Sequence, residues 1–163
     1  MITHLRIDNR LIHGQVAVAW LKYIGAKAII VCNDKVAVDK IQKMALPMAA
    51  RGSNVLVFSI AETLQYEKEH PDEPIFIIAK FPADALAILR AGVKVKEINV
   101  GNAACIPGTK YVMVTKSIAA TKEDAEMYNE IAGLNGGKLT SQIMPHNETT
   151  DFIAALKKAK LLS

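Results

Sequence analysis

Cysteine is scarce in this chain. Cys32 and Cys105 are its two cysteines, far apart and outside any CxxC spacing, so neither a disulfide framework nor a zinc ribbon is suggested. Cys32 lies in the apolar run IIVC and reads as a small buried hydrophobe, while Cys105 reads as a loop residue in a reduced chain. Aromatic residues make up 6% of the sequence, with a single tryptophan. Neither an RNP-type aromatic run nor a block of Lys and Arg appears, which argues against a nucleic-acid partner. The net charge of +4 is modest. Its lysines read as solvated helix faces, with a basic docking face for an acidic partner as the alternative. No apolar stretch approaches a membrane span, and MITHLRID has no signal-peptide core. PGTK (107–110) and GLNGGK (133–138) lack Walker A spacing and read as turns. His4, His70 and His146 have no metal-ligand spacing with one another or with His13, and no GxSxG or evident carboxylate pair occurs. No metal and no cofactor is expected.

What is present is ordinary globular material: 163 residues, 51% hydrophobic and 22% charged. A chain of this size buries roughly two-thirds of its unfolded surface. Short Val- and Ile-rich runs alternate with longer amphipathic segments. The runs predict strands over 2–7, 26–32, 54–59, 75–80, 97–100, 111–114 and 139–144, several apolar at nearly every position, as a sheet covered on both faces requires. Helices are predicted over 14–24, 35–46, 61–69, 82–92, 122–132 and 149–162. Ser59 with Glu62, and Thr121 with Asp124, have capping-box spacing. Pro82 suits a first helical position and Gly92 a helix stop. The β-α alternation without a linker predicts one α/β domain over 1–163: a single doubly wound, mainly parallel sheet with helices on both faces. Such sheets bind ligands beyond the carboxyl ends of their strands, and the first strand is often central. The loop after it is DNRLIH (8–13).

Arg6 and Arg10 are two of the four arginines in the chain, and His13 falls at the start of a helix. Free backbone N–H groups and the positive helix end favour an anion there. The same field, with Arg10 nearby, disfavours a proton on the imidazole and keeps a nitrogen lone pair available. A neutral imidazole in a phosphate-friendly pocket suits a phosphoryl acceptor, since phosphoryl transfer needs mainly in-line positioning and charge neutralisation. Gly14 lets the backbone approach the phosphate. The blander alternatives are a capping or surface histidine, an Arg6–Asp8 ion pair, and Asn9 as a simple turn former. Trp20 reads as core on the first helix, with its rim available to a partner surface.

The stretch RIDNRLIHGQVAVAW (6–20) resembles the active-site segment of the IIB component of the mannose–fructose–sorbose class of sugar phosphotransferase systems, R-(I/V)-D-(D/S/N)-R-L-(I/L)-H-G-Q-V. KFPADALAILRAGV (80–93) and EINVGN (97–102) resemble further segments of that family, and the likeness covers essentially the whole chain. The resemblance implies that His13 takes a phosphoryl group, on Nδ1, from a phosphohistidine on IIA. His13 then passes it to a hexose or amino sugar held by the membrane subunits IIC and IID. It also implies that Arg10 acts with His13, that the amides of His13 and Gly14 and the side chain of Asn9 complete the cradle, and that Asp8 orients Arg6 or the loop. Arg6 and Gln15 belong to the same phosphate-binding set, with Gln15 facing either phosphate or backbone.

Departures from the family pattern are Asn9, where many members have Asp, and Asn102, where Gly-Gly is usual. The GNAAC and Thr-Lys pattern leans towards amino-sugar members. Lys116 and Ser117, beyond a predicted strand end, are further candidates for the same crevice, against the reading of a loop lysine and a turn serine. A cytoplasmic protein peripheral to the transporter is implied, and the lack of an Ala-Pro-rich linker favours IIA on a separate polypeptide. A homo-oligomer is left open. The competing function is a sensor module that holds a phosphorylated metabolite at the same anion site without covalent chemistry. A histidine phosphatase is disfavoured, since neither RHG order nor a second catalytic histidine is evident.

Overall fold

Strand β1 (Ile2–Asp8) hydrogen-bonds in parallel on both sides, to β4 (Phe76–Ala79) and to β5 (Val95–Asn102), in a computed structural model that describes residues 1–163. The remaining strands of the main sheet are β2 (Ile29–Cys32), β3 (Val55–Phe58), β8 (Thr140–Ser141) and β9 (Thr150–Asp151). Their order is β3-β2-β4-β1-β5-β8-β9, parallel except for the β8–β9 edge. β1 is therefore central, and the chain leaves it in one direction for β2 and returns later to its other side for β5. That reversal opens a crevice at the carboxyl ends of β1, β4 and β5.

The helices divide between the faces according to their apolar stripes. Trp20 and Ala17 of α1 (Gly14–Ile24), Val36 of α2 (Asp34–Ala37) and Leu46 of α3 (Lys40–Ala49) pack with Ile29, Val31, Phe76 and Ile78 on one face. On the other face, α5 (Pro82–Arg90), α6 (Lys122–Leu134) and α7 (Phe152–Lys158) cover Leu5, Ile7, Ile77 and Val100, with α4 (Ile60–Glu69) alongside. Cys32 is fully buried in that second core, where burial pushes its thiol up to about 12.

The expected start signals hold. Ser59 and Glu62, and Thr121 and Asp124, form reciprocal capping boxes, and Pro82 opens α5. Four expectations need correction. The helix expected over 35–46 breaks into α2 and α3, because Asp39 turns its carboxylate onto the amides of Ile41 and Gln42 and caps a new helix. The run at 111–114 does not join the main sheet. It forms β6 (Val112–Thr115), paired antiparallel with β7 (Ile118–Ala120) in a separate hairpin. The run at 139–144 pairs only at β8, since Gln142 folds its side chain onto the carbonyls of Pro145 and Asn147 and turns the chain. Finally, α7 starts at Phe152, since 150–151 pair with β8 and Asp151 caps the helix.

Candidate active site

Three hydrogen bonds to one side chain shape the loop after β1. Asp8, buried at the strand end, accepts from the backbone N–H of Arg10 (3.0 Å) and from its guanidinium Nε (3.3 Å) and Nη2 (3.2 Å). The Leu11 amide closes the turn on the Asp8 carbonyl at 3.1 Å. Leu11 adopts φ +63°, a left-handed conformation unfavourable for a branched side chain, and it is held there because Leu11 and Ile12 are buried in the α1-side core. Gly14 follows at φ +53°, where a side chain would be strained. Between these anchors His13 is the N-cap of α1. It is exposed, and its ring makes no capping bond. The amides of Gly14 and Gln15 have no backbone acceptor, so the positive helix end stays open to an anion. Gln15 is exposed beside them.

Behind Asp8 stands Arg6, 1% exposed. Its Nη1 donates to the carbonyl of Gln142 (2.8 Å) and Nη2 to that of Ile143 (3.1 Å), and its Nε lies 3.7 Å from Asp8 Oδ2. The guanidinium also packs 5.1 Å from the centre of the Trp20 ring, whose indole N–H donates to the same Ile143 carbonyl at 2.9 Å. Burial lowers the Arg6 pKa to about 10, against the pull of Asp8 and with the repulsion of Arg10. Gly101 makes this position possible, because a Cβ there would come within 2.1 Å of Arg6 Cζ. Arg6 was expected among the phosphate-binding residues. Its donors are directed instead at main-chain carbonyls inside the protein, so it supports Asp8 from behind.

Asn9 also has a definite place. Its side-chain nitrogen donates to the Ala104 carbonyl and its oxygen accepts from the Ala104 amide, both at 2.9 Å. The carboxamide thus mimics a strand neighbour and ties the loop after β1 to the segment after β5. An aspartate could make only half of this pair. The expected contact of the Asn9 side chain with phosphate meets this commitment of both its ends. Asn102 makes a parallel tie. Its neighbours set its amide so that the nitrogen donates to the Ser117 carbonyl (3.0 Å) and the oxygen accepts from Arg10 Nε (3.2 Å). Arg10 is therefore held on one edge by Asp8 and Asn102, and Nη1 has no partner within the chain. Lys116 and Ser117 sit in the β6–β7 turn and line a different hollow, with Gly101 and Gln142. Ser117 reaches Arg10 only through its backbone carbonyl and Asn102. Sequence reasoning noted Asn102 as a departure but gave no role to Gly101 or to the carbonyls of 142–143. No local pattern marks a long-range acceptor. No three His, Cys, Asp or Glu side chains converge in a way that would hold a metal ion.

A doubly wound α/β domain with an open guanidinium edge and an exposed histidine at one helix start is the frame of a phosphoryl-handling protein. The model of the sorbose-subfamily IIB component of the phosphotransferase system matches residues 2–163. The sorbose-specific EIIB component of Klebsiella pneumoniae is 34% identical over 155 residues, covering 93% of each chain. The N-acetylgalactosamine-specific phosphotransferase enzyme IIB component 2 of Escherichia coli K12 is 36% identical over 128 residues, 77% of this chain and 80% of that one. The crystal structure of the IIB domain of the Klebsiella pneumoniae sorbose permease superimposes with a TM-score of 0.87 at 31% identity, covering 97% of both chains. The chain belongs to the sorbose-subfamily IIB components of the sugar phosphotransferase system, and it is a phosphotransferase component of sugar transport. No helix is long and apolar enough to cross a membrane.

Proposed function

We propose that the chain is a phosphocarrier. His13 accepts a phosphoryl group from a phosphohistidine on IIA and delivers it to a hexose or amino sugar held by membrane IIC and IID. The observation that carries this reading is the exposed His13 ring at an uncapped helix start, beside an Arg10 whose free Nη1 edge is fixed by Asp8 and Asn102. In the first step the P–N bond of the donor breaks as a P–Nδ1 bond to His13 forms. The bond lost and the bond gained are of the same kind, so the exchange is close to thermoneutral and needs positioning more than driving force. Arg10 and the amides of Gly14 and Gln15 offset the charge on the equatorial oxygens. In the second step the P–Nδ1 bond breaks as a P–O bond to a sugar hydroxyl forms; the electron pair returns to Nδ1 of His13, whose imidazole takes up the proton the hydroxyl gives up. A module that only held a phosphorylated metabolite would have no use for an unencumbered imidazole.

The test incubates the protein with labelled phosphoenolpyruvate, enzyme I, the small phosphocarrier protein and the cognate IIA. An acid-labile, base-stable label that His13→Ala abolishes is expected. No label on the wild-type chain would refute the carrier reading.

A further inference from the structure

On the far side of Asn9 from Asp8, a cavity of about 410 Å³ opens at the carboxyl edge, between the ends of β1, β4 and β5 and the starts of α5 and α6. Neither His13 nor Arg10 lines it. Its walls are apolar, built from Ile7, Phe81, Pro82, Ala103 and Ala119. Tyr128, only 1% exposed, also lines it. A helical side chain leans towards its helix N-terminus, which carries the phenol back over the first turn of α6 and beside Asp124, the one charge that acts on it. The Tyr128 hydroxyl makes no hydrogen bond within the protein, yet it is not sealed in the core as an unpaired polar atom, so it is free to meet a ligand in the cavity. Asp124 itself is occupied by the Thr121 amide at 3.0 Å. The ionic groups left free at the mouth are Lys80 and Lys110 against Glu123.

We propose that this cavity is a second ligand site, for an uncharged polyhydroxylated molecule of monosaccharide size, with the Tyr128 hydroxyl as its buried anchor. The volume falls within the roughly 300–1,000 Å³ of small-molecule sites. The apolar walls suit the C–H faces of a sugar ring, and the buried hydroxyl and the groups at the mouth suit its hydroxyls. Lysines and a glutamate share the mouth, so no single ionic sign is selected, and an anion would meet Glu123. Asn9 is the wall shared with the phosphate loop. A ligand that shifts Ala103 or Ala104 therefore acts on the loop through the Asn9–Ala104 pair. Choosing a sugar as the ligand rests on the phosphocarrier reading.

The test is an amide NMR titration of the unphosphorylated protein with L-sorbose, D-mannose and N-acetyl-D-galactosamine. At least one is expected to give saturable shifts at Asn9, Ala104 and Thr121. Tyr128→Phe should weaken that binding roughly tenfold, the equivalent of one lost buried hydrogen bond, with the rest of the spectrum unchanged as the check on folding. Ala103→Leu, which fills the cavity from a different wall, should abolish the saturable shifts. The proposal is overturned if none of the sugars produces them, if Tyr128→Phe leaves the affinity as it was, or if the cavity amides respond only to IIA. Labelling of His13 is measured without sugar and the titration without phosphoryl donor, so failure of either reading is seen separately.

Discussion

Placing a methyl group on Gly101 tests the support of the candidate site from a distance. The new Cβ would lie 2.1 Å from Arg6 Cζ and Nη2 and 2.5 Å from Nε. Ordinary contact between non-bonded heavy atoms is about 3.5–4.0 Å. The guanidinium would therefore have to retreat by more than an ångström, and its bonds of 2.8 and 3.1 Å to Gln142 and Ile143 would pass out of hydrogen-bonding range. Each charge-assisted bond contributes about 1.5–3 kcal/mol, and no water replaces them at a side chain this buried. Gly101→Ala should thus cost about 3 kcal/mol, which for a domain of this size is a fall in Tm of about 6–12 °C. The displaced Arg6 no longer steadies Asp8, so labelling of His13 by phosphorylated IIA should slow as well. The decisive assay is a double-mutant cycle with Arg6→Met. If the clash with Arg6 is the cause, Gly101→Ala should cost within about 0.5 kcal/mol of nothing on the Arg6→Met background. An undiminished cost there, or a single variant as stable as the wild type, would rule out the clash with Arg6 as the cause.

Three other outcomes are expected. Arg10→Lys keeps a positive charge but loses the fork that lets Asp8 take Nε and Nη2 together, so the initial rate of His13 labelling should fall about tenfold or more. Asn9→Asp sets a carboxylate against the Ala104 carbonyl and keeps only the bond accepted from the Ala104 amide; a loss of about 1–2 kcal/mol in denaturant unfolding should follow. Burial lowers the His4 pKa in the folded chain, with Asn99 and Glu97 opposing the shift. The unfolded chain then binds the extra proton below about pH 6.5, so stability is fully present above that value and is lost as the pH falls towards the depressed folded value. The unfolding midpoint should drop over that window in the wild type and drop less in His4→Gln.

The architecture was legible because its cues are local and periodic. Apolar runs such as IFIIAK, the capping boxes at Ser59 and Thr121, and Pro82 each act within a few residues. The breaks came where one side chain overruled a period, as Asp39 does in splitting 35–46 and Gln142 does in cutting short the last long run. The loop residues were legible as chemistry, and Asp8 does orient this loop. The carbonyl partners of Arg6 were not legible, because a strand residue's letter does not say what covers its face. Here it is a turn 136 residues away, offering bare carbonyls. Asn9 could not be explained from the sequence, since its partner Ala104 has no distinguishing letter.

The same burial explains why a central parallel strand carries so much polarity. β1 presents His4, Arg6 and Asp8 on one face, paired with Glu97, Asn99 and, past a bulge that leaves Gly101 out of register, Asn102 of β5, where parallel sheets are usually apolar. That face is covered over β1 by α1 and the 142–143 turn, through Trp20 and the Arg6 bonds, and the column leads directly to the loop after β1. Within it two guanidiniums face a single carboxylate. Asp8 cannot neutralise both, and the surplus positive charge falls on the partly exposed one, Arg10, at its free edge. A buried arginine that merely stabilised the fold would need a matching anion of its own. On the phosphocarrier reading, the positive charge that Asp8 leaves uncompensated at Arg10 is the one an arriving phosphoryl group would offset.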